Sequence, residues 1–371
     1  MFIILLAIGW TEFSCPVGYI PTLQHFVYIF ILIFPKLYWK NNLVDLPITQ
    51  YNLWQIRSYY TYPLLLLSAT PTGPANFKLN PWWVTGFVDG DGSFILNIYQ
   101  NSRLKTGWNV QLFLSISLHS KDKTLLEKIQ NFFGVGSIIF NENKNVARLL
   151  VYSIEDLEII IQHFTKFILI TQKRADFELF KQAFWLIKNK HHLTKAGLEK
   201  FLAIRASQNL GFSPKFIESF PNIVPVERPQ VINQIIEDPN WLAGFTAAEG
   251  CFFVKIAKAT TVIGLRVQLC FQITQHSKDE QLIKSLIQFF GCGAIYKRGD
   301  RFDYKVLKFD DIVHRIIPFF IKFPIVGIKS KDFEDFCRVS ELMKKKAHLT
   351  LPGLEKIKKI KAGMNTGRKL F

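Results

Sequence analysis

The chain has 371 residues, enough for two domains with cores of their own at the usual size of about 100–200 residues. Its 46 Lys and Arg against 29 Asp and Glu leave a net charge of +17, which suits a polyanionic partner, nucleic acid first and an acidic membrane face second, with a merely soluble basic protein as the other reading of charge alone. Cys15, Cys251, Cys270, Cys292 and Cys337 form no C-x-x-C pair, and no histidine cluster stands at zinc-ligand spacing, so a disulfide scaffold and a zinc module are excluded.

Residues 1–77 read as an apolar N-terminal extension with little structure of its own. The run at 27–34 is apolar, but Pro21 and Pro35 bracket it, leaving about 13 residues where a spanning helix needs about 20. Only four of the 46 basic and two of the 29 acidic residues fall in the first 80 positions, so the later chain is the part that meets phosphate. A short helix is expected over 82–91, stopped by Gly92 because glycine takes the left-handed conformation cheaply. A strand over 93–100 puts Phe94, Leu96 and Ile98 on one face and Asn97 and Tyr99 on the other. The next, over 108–118, turns Val110, Leu112, Leu114 and Ile116 inward and Asn109, Gln111, Ser115 and Ser117 outward. A helix over 124–133, two weaker strands near 136–153 and helices over 156–166 and 176–188 complete the unit. His191 and His192 are adjacent, so on a helix they diverge and cannot chelate together.

From 209 to 239 the chain holds Pro214, Pro221, Pro225, Pro229 and Pro239, a run that reads as a linker rather than a regular helix or central strand. Beyond it the first unit recurs. The segment from Trp83 to Phe94, WVTGFVDGDGSF, returns from Trp241 to Phe252 as WLAGFTAAEGCF. His119-Ser120-Lys121-Asp122 returns as His276-Ser277-Lys278-Asp279, and His192-Leu193-Thr194 as His348-Leu349-Thr350. Collinear matches with an offset drifting by single residues mean duplication. The expected partition is an extension (1–77), a first repeat (78–208), a linker (209–238) and a second repeat (239–371). Each repeat is α+β, with helices on one sheet face and the other face polar.

Each copied helix ends in an acid, Asp91 and Glu249. The macrodipole makes that a poor place for a negative charge and a welcoming one for a cation. Gly86 and Gly244, five residues earlier, would let two such helices approach closely. If the copies pair about a pseudo-two-fold axis, the two acids meet beside free carbonyls such as those of Gly90 and Ala248. That is a hard-oxygen site for Mg2+-like ions, of the kind used in phosphodiester hydrolysis.

The two segments resemble the motif of LAGLIDADG homing endonucleases, over about residues 79–365. They are similar to the single-chain, two-repeat members found in fungal mitochondrial introns. The resemblance implies two tandem pseudo-symmetric αββαββα domains forming a saddle of antiparallel sheets. It implies that Asp91 and Glu249 bind two or three divalent ions, Mg2+ in catalysis, with Mn2+ or Ca2+ able to substitute for binding. It further implies cleavage of double-stranded DNA across the minor groove with short 3′ overhangs, by a monomer acting in the mitochondrion. Asp89 has only Ala247 in the second copy, a departure from the motif at a position that is generally not a metal ligand. Gln275 matches a family glutamine that arranges metal-bound water, whereas the first copy has Leu118. Lys173 and Lys329 resemble the family's basic residues that poise water or steady transition-state charge; a solvated or phosphate-contacting cation is the competing reading for each.

Base recognition is expected from Asn97, Tyr99, Gln111 and Ser115 in the first half and Lys255, Arg266, Gln268 and Gln272 in the second, with Lys121 and Lys278 on phosphate. Unlike faces imply a long, non-palindromic site. Two rivals stand beside this reading: a maturase that binds host intron RNA with the same fold, and a membrane-attached basic protein anchored by residues 1–77.

Overall fold

A computed structural model describes residues 78–209, 211–212 and 214–368. The expected extension, with its apolar run at 27–34, lies outside the described residues. Among the described residues no helix is long and apolar enough to cross a membrane.

One series of elements occurs twice. The first runs α1 (Pro81–Asp91), β1 (Gly92–Gln100), β2 (Trp108–His119), α2 (Lys123–Phe133), β3 (Ser137–Asn141), β4 (Val146–Val151), α3 (Ile154–Lys166), α4 (Lys173–Lys188) and α5 (Lys195–Ser207). A short α6 (Pro214–Ser219) follows. The second series has α7 (Pro239–Glu249), β5 (Gly250–Lys258), β6 (Leu265–His276), α8 (Glu280–Phe290), β7 (Ala294–Arg298) and β8 (Arg301–Val306). It continues through a π turn (Ile312–Ile316) into α9 (Ile317–Lys322), then α10 (Lys329–Lys344) and α11 (Leu351–Ala362).

Each half holds a four-stranded antiparallel sheet, ordered β1-β2-β4-β3 and β5-β6-β8-β7. The two-residue period of the strands decides which face is covered. In β1, Phe94, Leu96 and Ile98 are buried under the helices while Asn97 and Tyr99 stay exposed. Phe94 is an aromatic hub, 5.3 Å from Phe164, 5.2 Å from Phe177 and 5.5 Å from Phe180. Phe252 repeats it against Phe320, Phe333 and Phe336. Such pairs add about 0.5–1.5 kcal/mol each beyond the area they bury.

Helices α1 and α7 start alike: Asn80 and Asp238 accept the Trp82 and Asn240 N–H groups at 2.8 and 2.7 Å, with a proline next in each case. Both are buried on every side, from Trp83 to Asp89 and from Trp241 to Ala247, because they pack on their own sheets and on each other. A Cβ on Gly86 would overlap the Trp241 carbonyl oxygen and lie 2.9 Å from the Phe245 nitrogen. Gly244 meets Trp83 and Phe87 in the same way. The backbones therefore touch, and only glycine fits at the crossing.

Two expectations need correction. Gly92 is not left-handed: its φ is −81° and that of Gly250 is −75°. Glycine is required there because a Cβ would stand 2.8 Å from the Val88 carbonyl oxygen in one copy and 2.8 Å from that of Thr246 in the other. The proline-rich segment is not wholly irregular either, since α6 opens at Pro214, where a missing N–H costs nothing. Phe216 of α6 and Phe220, just after its end, close over Trp108.

Candidate functional site

The crossing at Gly86 and Gly244 sends the C-terminal ends of α1 and α7 to one place. A Cβ on Gly90 would lie 3.1 Å from Glu249 Cγ. Asp91 and Glu249 thus stand together, as the repeat implied. Burial, and after it the charge of Glu249, push the Asp91 carboxyl up to about 6.

Lysines close the two helix ends. Lys173 Nζ, from the first residue of α4, donates to the carbonyls of Val88 at 3.0 Å and Gly90 at 2.7 Å. Lys329 Nζ, from the first residue of α10, donates to Thr246 at 3.2 Å and Ala248 at 2.7 Å. Desolvation pushes both amines below the ordinary lysine range, against the pull of the nearby carboxylates. A freely solvated cation is therefore the wrong description of either. The carbonyls of Gly90 and Ala248, expected beside the ions, each hold a lysine proton here; a carbonyl has two lone pairs, so each keeps one.

The donor set is hard oxygen throughout. Among the described residues no group of three or more His, Cys, Asp or Glu converges into a closed metal cage. A magnesium-type ion needs none, since one or two carboxylates and substrate phosphates commonly hold it. Two like charges, one of them raised by the other, are also what a divalent cation relieves. The residues fit the ion.

Gln275 is placed less favourably. Its register opposite Phe302 puts it on the side of β6 shared with buried Ile273, and its side chain forms no hydrogen bond among the described residues. Asp89 has more to do than the sequence suggested. It is buried, with burial raising its carboxyl to about 6, and it accepts from Ile170 N–H at 2.6 Å, Thr171 Oγ1 at 2.5 Å and Trp241 Nε1 at 3.0 Å. It fixes the segment that leads into Lys173 and ties it to the other half. The second copy lacks the acid and its partner together: Ala247 replaces Asp89 and Gly327, at a φ of +93°, replaces Thr171. That paired loss was the signal available in the sequence.

Residues 84–184 and 242–340 both match the family model described as LAGLIDADG endonuclease. The chain belongs to that family. It is 41% identical over 288 residues to "Probable intron-encoded endonuclease 3" of Neurospora crassa, covering 76% of this chain and 54% of that protein. It is 40% identical over 338 residues to "Probable intron-encoded endonuclease 2" of the same organism, covering 87% of this chain and 73% of that one. The chain thus spans about half the length of the first relative. Among solved structures, the LAGLIDADG homing endonuclease I-SmaMI bound to cleaved DNA matches with a TM-score of 0.77 and 43% identity, over 79% of this chain and 99% of that one. I-SmaMI bound to an uncleaved DNA target in the presence of calcium ions matches at 0.76 and 43%, over 78% and 99%.

The LAGLIDADG halves each leave one sheet face open, with unlike residues at equivalent places. Asn97, Tyr99 and Gln111 are exposed on the first, as are Lys255 and Arg266 on the second, while Gln268 and Gln272 are half-buried. Gln272 Nε2 donates to Thr274 Oγ1 at 2.8 Å, which in turn donates to Asp303 at 2.7 Å. Ser115, expected in the open, is buried: it lies on the central strand between Ser93 and Leu150, and its short side chain is shaded by both. Lys121 is not free for phosphate, because its Nζ donates to the Arg368 carbonyl at 2.8 Å, whereas Lys278 is exposed. Sequence reasoning passed over Arg148, which donates to Ser117 on the first face, and Arg298, Arg301 and Lys305 on the second. They lie on the weakly patterned later strands of each sheet, Arg148 on β4, Arg298 on β7, and Arg301 and Lys305 on β8.

Proposed function

We propose that the chain is a site-specific double-strand DNA endonuclease whose single active centre lies at the paired ends of α1 and α7. The observation that carries this reading is the meeting of Asp91 and Glu249, one from each copy, with Lys173 and Lys329 beside them. In it, residues 78–208 and 239–371 are the two halves, 209–238 the linker and 1–77 an extension. Both acids come from one chain, so a monomer suffices.

Asp91 and Glu249, with the free lone pairs of the Gly90 and Ala248 carbonyls, would hold divalent cations, Mg2+ in catalysis, with Ca2+ or Mn2+ as binding substitutes. When bound, such ions polarise the scissile phosphate and ease formation of the nucleophile from water. The protein's own part is placement and charge. Asp91 and Glu249 fix the centre of the cut between two sheets. Each lysine, held at a helix end and lowered in pKa, steadies charge growing on the phosphate and exchanges a proton more readily than a solvated amine. Gln275 would orient water from one side only, so the two strands meet unequal surroundings. Asn97, Tyr99, Gln111, Lys255, Arg266, Gln268 and Gln272 would read bases in the major groove, with cleavage across the minor groove leaving short 3′ overhangs. An intron-encoded relative set that is fungal favours action in the mitochondrion.

The test is a cleavage selection from randomised duplex DNA in Mg2+, followed by variants on the selected site. Asp91→Asn and Glu249→Gln each abolish double-strand cleavage and leave DNA affinity within about threefold (~0.6 kcal/mol). Full activity in either variant overturns the assignment.

A further inference from the structure

The repeated tetrad His-Ser-Lys-Asp ends in an aspartate at the N-cap of a helix, Asp122 before α2 and Asp279 before α8. That position ordinarily caps its own helix. Neither carboxylate does so. Asp122 Oδ1 accepts instead from the Ile328 N–H at 2.7 Å, and Asp279 Oδ1 from the Gln172 N–H at 2.8 Å. Ile328 and Gln172 are the residues just before Lys329 and Lys173, and neither α10 nor α4 has a side-chain cap of its own. Each bond runs from one copy to the other. Gly327 makes the approach possible, since a Cβ there would lie 2.9 Å from Asp122 Oδ1.

The geometry points to a reciprocal clasp: Asp122 and Asp279 are positioning residues, each holding the active-site lysine of the opposite half. The carboxylates lie at the N-terminal ends of α4 and α10, where the helix field favours negative charge. The clasps are unequal. The segment before Lys173 is also held by Asp89 through Ile170 and Thr171, and Gln234 Nε2 bridges the Ile170 carbonyl at 3.1 Å to Asp279. With Ala247 and Gly327 in place of Asp89 and Thr171, the segment before Lys329 lacks the equivalent carboxylate support. Asp122 therefore carries more of its lysine's placement than Asp279 does.

This inference rests on the active centre proposed above, and one experiment separates the two. The full chain cuts its selected duplex in Mg2+ with each strand end-labelled, and single-turnover rates are read per strand. Asp122→Leu slows one strand by about 10- to 100-fold, the strand that Lys329→Met also slows. Asp279→Leu slows the other, the one affected by Lys173→Met, and by less. Asp122→Asn and Asp279→Asn keep an acceptor oxygen and retain near-normal rates. The unaffected strand in each reaction reports that the protein is folded. Equal slowing of both strands, or wild-type rates in both leucine variants while Asp91→Asn is inert, overturns the clasp alone. Cleavage by Asp91→Asn overturns the centre on which it rests.

Discussion

Asp91 sits where its charge is unwelcome on three counts: burial, the neighbouring Glu249 and the negative end of α1. Its carboxyl is raised from 3.8 to about 6, so the folded chain holds that proton more tightly than the unfolded chain does. In metal-free protein this group's contribution to stability is therefore lost as pH climbs from about 4 through about 6. A cation takes the ionised form, so proton and cation compete. Apparent Ca2+ affinity should rise about tenfold per pH unit below about pH 6 and level off above it. Calorimetric titration of Ca2+ into the protein between about pH 5 and about pH 8 measures this. Asp91→Asn flattens the profile; a slope that survives the substitution places the titrating group elsewhere.

Helices α1 and α7 form the joint between the halves, and their contact is backbone on backbone. Gly86→Ala or Gly244→Ala must push the helices apart, because the atom struck is a carbonyl oxygen rather than a flexible side-chain tip. Each should cost about 1–3 kcal/mol or more in urea denaturation, against a few tenths for Gly363→Ala, where the nearest atom is 3.5 Å away. Equal stabilities for all three would contradict the packing described. Much of this element was legible in the sequence. The duplicated motif gave the acid pair, the close glycines and the order of elements, since a repeat exposes constraints that a single copy hides. What could not be read was long-range partnering. Asp122 and Asp279 stood out only as part of a repeated tetrad, because local spacing cannot say that a carboxylate reaches into the other copy. Asp89 looked dispensable because its donors lie 81, 82 and 152 residues away in sequence. Ser115 looked open because alternation gives the face of a side chain and not the height of its neighbours.

At the scale of the molecule the two open faces differ at register-equivalent places: Asn97 against Lys255, and Asn109 against Arg266. The second face is the more basic, with Arg298, Arg301 and Lys305 beside Lys255 and Arg266. Lys255→Ala together with Arg266→Ala should relax base preference at one end of the selected site, by about 1–3 kcal/mol per contacted pair, and leave the other end unchanged. Sequencing of sites cleaved by the double variant from a randomised pool checks this; loss of preference at both ends would mean the halves do not read separately. The joined copies have a historical corollary. A symmetric dimer that alters one contact residue alters it twice, so any new target must stay a palindrome. On the proposed reading a single codon change here would retune one flank alone, and an invader whose landing place mutates on that side would follow it in one step.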